Sequence, residues 1–80
     1  MDKDRVRLQI DMTAERLTHL DQIKEIAGLG SRKEVINNAF CIFQWAIMQA
    51  VEGREIASVA EDGSYRQLAM PALDNARGSK

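Results

Sequence analysis

The chain has a single cysteine, a single proline, a single histidine and four aromatic side chains among its 80 residues. One cysteine, Cys41, cannot close an internal disulfide, and its isolation fits a reducing compartment. One histidine, His19, has no cysteine or carboxylate at metal-ligand spacing, so neither a metal centre nor any other cofactor is expected. Nucleophile elbows, phosphate loops and paired-histidine zinc motifs are absent, and enzymatic chemistry is not expected. Gly28-Leu-Gly30 lacks the third glycine and the preceding buried strand of a dinucleotide fingerprint, and reads as a turn between helices. The longest apolar run, residues 39–51, is interrupted by Gln44 and Gln49. It falls short of the roughly 17–25 residues that span a bilayer, so no membrane association is expected. No charged-then-apolar leader pattern precedes residue 5, which makes a cytoplasmic location the expectation.

What is present is a surplus of aliphatic residues. Hydrophobic side chains make up 45% of the chain, although a domain this short buries only about 60–65% of its unfolded surface. Self-association is the simplest outlet for that surplus. Charge is nearly balanced, with 11 Lys and Arg against 12 Asp and Glu. The basic residues lean towards the front: residues 1–33 carry seven basic and six acidic side chains, and residues 34–80 carry four and six. Any binding to a polyanion must therefore rest on a few placed contacts or on several dimers side by side, more than on bulk charge.

Along the chain, Val6, Leu8, Ile10 and Met12 alternate with Arg5, Arg7, Gln9 and Asp11, the pattern of a half-buried strand over 5–12. Thr13 is a suitable N-cap for a helix over 14–28, whose apolar stripe is Leu17, Leu20, Ile23 and Ala27 with Ile26 beside it. Ser31-Arg-Lys-Glu34 is a capping box opening a second helix over 32–52. Val35, Ile36, Ala39, Phe40, Phe43 and Ile47 lead its apolar residues, which cover more than one stripe. That helix asks for cover on two sides, one from the first helix and one from a second chain. Cys41 within it reads as a small hydrophobe, and Trp45 falls off the main stripe, at a dimer edge or beneath the C-terminal segment. Beyond Gly53 the residues around Asp62-Gly63 suggest a β-hairpin within 54–73, ended by Pro71, and 74–80 reads as a disordered tail.

A lone strand leaves its backbone groups unpaired, and the economical solution is the same strand of a second molecule about a two-fold axis. Val6, Leu8 and Ile10 of both chains would then face the helices, while Arg5, Arg7 and Gln9 of both chains share the outer face. A two-stranded antiparallel ribbon fits the major groove of B-DNA. Arg there bridges guanine O6 and N7, Gln bridges adenine N6 and N7, and Asp accepts from cytosine N4. Ser31, Arg32 and Lys33, at the amide-rich start of the second helix, would hold phosphates.

Arg5-Val-Arg-Leu-Gln-Ile-Asp-Met-Thr13, the helix that follows, and Gly30-Ser-Arg-Lys-Glu-Val-Ile-Asn-Asn-Ala39 resemble the ribbon-helix-helix family of Arc, CopG and MetJ type repressors over about residues 4–53. The glycine-to-serine junction into the second helix is the most specific part. The resemblance implies a mainly helical fold with short β, an intertwined homodimer around an intermolecular ribbon, and further assembly on tandem sites. It implies base reading at Arg7, Gln9 and Asp11, with Arg5 at the ribbon's outer end, and phosphate anchoring at Ser31 and Arg32 with Lys33 near. The expected function is a bacterial transcriptional regulator, a repressor that binds double-stranded DNA. Departures from the pattern are the carboxylate of Asp11 at a reading position and Asp2 and Asp4 beside the basic strand. The competing expectation is a protein-interaction module, such as an antitoxin, whose residues 54–73 engage a partner protein.

Overall fold

The computed structural model describes residues 5–79. Residue 4, at the start of the expected domain, Asp2 beside it, and Lys80 of the expected tail lie outside the described residues. The chain is mainly helical with one small sheet: α1 (Ala14–Ala27), α2 (Arg32–Val51), β1 (Ala57–Val59), β2 (Tyr65–Gln67) and α3 (Pro71–Gly78). Its contacts divide into two compact units, residues 1–35 and 36–80, with α2 running through the boundary.

Local chemistry fixes the helix ends of the first unit. The Thr13 hydroxyl accepts the Arg16 backbone N–H at 3.1 Å, and Glu15 sits in the first turn where a carboxylate suits the dipole. At the other end Gly28 takes φ +70°. Its N–H donates to the Glu25 carbonyl, and the Leu29 N–H donates to that of Lys24. This is a Schellman closure, and it needs the left-handed backbone that glycine adopts without strain. α2 ends in the same way: Gly53 sits at φ +83°, Gly53 N–H donates to Ala50 and Arg54 N–H to Gln49. The expected helices over 14–28 and 32–52 thus match the observed ones within a residue at each end.

Residues 5–13 belong to no helix or strand within the chain. A strand exists by virtue of its ladder, and the one ladder among the described residues joins β1 to β2. Val6 is 91% exposed and Leu8 79%. The buried hydrophobics of the first unit are Leu20 and Val35 alone among the described residues.

The second unit has its own core. Ala46 and Ala50 of α2 cluster with Leu73 and Ala76 of α3, and Ile47, Val51 and Ile56 pack against them. The small alanines let α3 come close, and Leu73 is fully buried there. Between them runs the expected hairpin, shorter than 54–73, with Ala57 opposite Gln67 and Val59 opposite Tyr65. Its turn is built as the Asp-Gly pair dictates. Gly63 sits at φ +88°, its N–H donates to the Ala60 carbonyl, and Asp62 Oδ1 accepts both the N–H and the hydroxyl of Ser64.

The expected disordered tail over 74–80 is corrected: Pro71 opens a helix that runs to Gly78. Proline is favoured in the first turn, where its missing N–H has no partner to lose. Arg77 closes the far end by pairing with Asp74 at 3.0 Å and donating to the Arg54 carbonyl. An eight-residue helix is too short to declare itself by periodicity. It forms because Leu73 and Ala76, one turn apart, find the alanine face of α2.

Candidate nucleic-acid interface

The interface expected from sequence has two parts in the first unit: the outward residues of 5–12 and the start of α2. Arg5, Arg7, Gln9 and Asp11 are all exposed, as are the alternating Val6, Leu8, Ile10 and Met12. Both sides of the segment therefore face solvent in the single chain. One side offers guanidinium, amide and carboxylate groups, and the other offers uncovered aliphatic side chains.

The start of α2 is built around its cap. Ser31 Oγ accepts the Glu34 backbone N–H at 3.2 Å, the first half of the expected capping box and worth about 1 kcal/mol. Glu34 reaches back one residue further than expected, its Oε2 accepting from the Gly30 N–H at 3.1 Å. A carboxylate beside the first helical amides suits the helix dipole.

Arg32, Lys33 and Ser31 do not share one role. Lys33 is exposed. Arg32 turns to α1: its Nε–H donates to Asp21 Oδ1 at 2.9 Å and its Nη2 to Oδ2 at 3.0 Å, a side-on bidentate pair. Asp21 was not among the residues expected to matter. Eleven positions separate it from Arg32, across the Gly28–Gly30 turn, and no helical or strand spacing rule connects them. The signal available was composition alone, an acid on α1 and a base opening α2.

The pairing sets the electrostatics. Hydrogen bonding from Arg32 holds the Asp21 carboxyl below its ordinary value, partial burial opposes the shift, and the positive charges of Arg32 and Lys24 reinforce it. The same hydrogen bond raises Arg32. Because the folded carboxyl is depressed, the stability contributed by the pair is fully present above the unfolded value of about 3.9 and is lost as pH falls through the folded one. In a carbon-detected NMR titration, Asp21 is expected to have a midpoint below that reference, and Arg32→Gln is expected to move it upward. An unchanged midpoint in Arg32→Gln would show that the pair does not hold in solution.

The residues expected to form the dimer core are placed as follows. Val35 is buried and Ile36 and Ile47 are half-buried, whereas Ala39, Phe40 and Phe43 are exposed, Phe40 by 64%. Cys41, expected as a small hydrophobe within the apolar helix, is exposed, and Trp45 is half exposed. Ala39, Phe40, Cys41, Phe43 and Trp45 all lie on α2 and are exposed among the described residues. His19 is exposed. Among the described residues no cluster of His, Cys, Asp and Glu could hold a metal ion, and no helix is long and apolar enough to cross a membrane. No family model, curated protein or solved structure matches this chain.

Proposed function

We propose that the chain is a homodimeric ribbon-helix-helix regulator that binds double-stranded DNA in the major groove. The observation that carries this reading is the segment 5–12. Aliphatic residues left uncovered on one side alternate with Arg5, Arg7, Gln9 and Asp11 on the other, directly before a Thr13-capped helix. Pairing with the same segment of a second copy would supply the missing ladder and place the aliphatic residues against helices. It would also gather two sets of base-reading side chains on one face. Uncovered Phe40 and Phe43 on α2 support the same two-fold association. The amides opening α2, with Ser31 and Lys33, then lie where phosphates flank the groove. The reading belongs with a cytoplasmic repressor and needs no cofactor.

Selection of bound duplexes from a random pool tests it. A short palindromic or tandem motif is expected from the wild-type chain and is expected to vanish with Arg7→Ala. Enrichment of nothing by the wild type would end the DNA reading.

One observation favours a second reading. The C-terminal cover on α2 is α3, not the hairpin, which leaves Val59 72% exposed and Tyr65 66%. Leu68 and Met70 are also uncovered, so the hairpin offers an apolar surface to a protein partner, as an antitoxin would. A partner that co-purifies with the full chain and is lost with Val59→Asp would support this reading. Loss with Leu8→Asp alone would refute it.

A further inference from the structure

The pair between Asp21 and Arg32 bears on how much positive charge the chain can present to phosphates. Arg32 is the first residue of α2 and stands beside the amides that would face a phosphodiester. Its side chain is more than half exposed, yet its Nε and Nη2 donors are directed at the Asp21 carboxylate. A guanidinium has five N–H groups in a fixed fork. Engaging the Nε–Nη2 edge in a side-on carboxylate pair leaves donors over but cancels the charge. It is the uncompensated charge that displaces counterions from DNA.

We infer that Asp21 is a positioning residue that withholds Arg32 from the nucleic-acid backbone, leaving Lys33 as the effective cation at the start of α2 and limiting sequence-independent binding to double-stranded DNA. This inference rests on the DNA-binding reading above. The near balance of charge gives it weight, because with 11 basic against 12 acidic residues one cation per protomer is a large share of the electrostatic attraction. Removing Asp21 should not unfold the chain. An exposed ion pair contributes little, and the turn between α1 and α2 keeps its Gly28 closure and its Ser31 cap.

The experiment compares four full-length chains on a short duplex of scrambled sequence, by fluorescence anisotropy between about 50 and 200 mM salt. Asp21→Asn is expected to tighten binding at least about tenfold at the low-salt end, and to steepen the salt dependence by about 0.9 per protomer as Arg32 engages a phosphate. Glu61→Gln adds the same net charge on the hairpin turn, and its slope is expected to match that of the wild type. The double variant Asp21→Asn with Arg32→Gln is expected to return to wild-type affinity and slope. A slope for Asp21→Asn no steeper than that of Glu61→Gln overturns the inference, and so does a double variant that stays tight. Both outcomes leave DNA binding itself intact. If none of the four chains binds duplex at any salt, the DNA reading fails and takes this inference with it.

Discussion

Leu8→Asp is expected to lower the association constant of the chain by roughly 10²–10⁴ and to melt much of its helix at low micromolar concentration. The first unit buries only Leu20 and Val35 among its described residues, too little for a stretch of that length to hold α1 in place. An isolated 14-residue helix is marginal in water, and α1 must draw its stability from packing. The aliphatic side chains that could supply it, Val6, Leu8 and Ile10, stand uncovered in a single chain. Burying one leucine returns about 1.5–3 kcal/mol, and a two-fold dimer counts each position twice, so loss of Leu8 removes about 3–6 kcal/mol. The introduced carboxylates add a desolvation cost on top.

Sedimentation equilibrium with far-UV circular dichroism over a concentration series reads both consequences. Val59→Asp is the control, since Val59 is also strongly exposed but lies on the hairpin. It is expected to leave association unchanged. If Leu8→Asp behaves as wild type, segment 5–12 is not an interface. If Val59→Asp dissociates the chain instead, the hairpin is the contact surface.

What could be read from sequence follows the range of the interactions. Thr13, Gly28, Ser31 and the Asp62-Gly63 turn act through hydrogen bonds and backbone angles within a few residues of themselves, and each does what its residue type predicts. Apolar periodicity identified which surfaces of α1 and α2 want cover, but periodicity is silent on whether the cover comes from the same molecule. Phe40 and Phe43, expected in a dimer core, and Cys41, expected as a small hydrophobe, are exposed in one chain. Two features escaped because they are tertiary. α3 depends on Leu73 meeting Ala46 and Ala50 some 23 to 27 positions earlier, and a short helix with one proline carries no periodic signature of its own. The Asp21–Arg32 pair depends on how α1 and the start of α2 are juxtaposed across a glycine turn, which no spacing rule supplies. Reading Arg32 as a phosphate anchor took its charge at face value. The charge has a carboxylate partner in the same chain.

That partner sharpens the contrast between segment 5–12 and the helix start, where Arg7→Ala and Lys33→Ala are expected to fail in different ways. Arg7 is exposed beside Gln9 on the polar side of segment 5–12, where a paired ribbon would aim it at base edges. A bidentate contact to guanine discriminates against the wrong base by about 1–3 kcal/mol, so two copies in a dimer put the expected loss at about 2–6 kcal/mol on the selected site. On scrambled duplex the loss should be much smaller, and the ratio of specific to non-specific affinity should collapse. Lys33 is a point charge at the start of α2, and truncating it removes attraction that every sequence shares. Its expected signature is an equal loss on both duplexes and a salt slope shallower by about 0.9 per protomer. Titrating both variants against the selected and scrambled duplexes at several salt concentrations separates the two. A uniform loss for Arg7→Ala with a shallower slope would make Arg7 one more phosphate contact and leave no base reading at that position. Recognition would then fall to Gln9 and Asp11, whose carboxylate accepts only from a base amine, cytosine N4 or adenine N6, and the selected motif would carry cytosine or adenine at that position in each half-site.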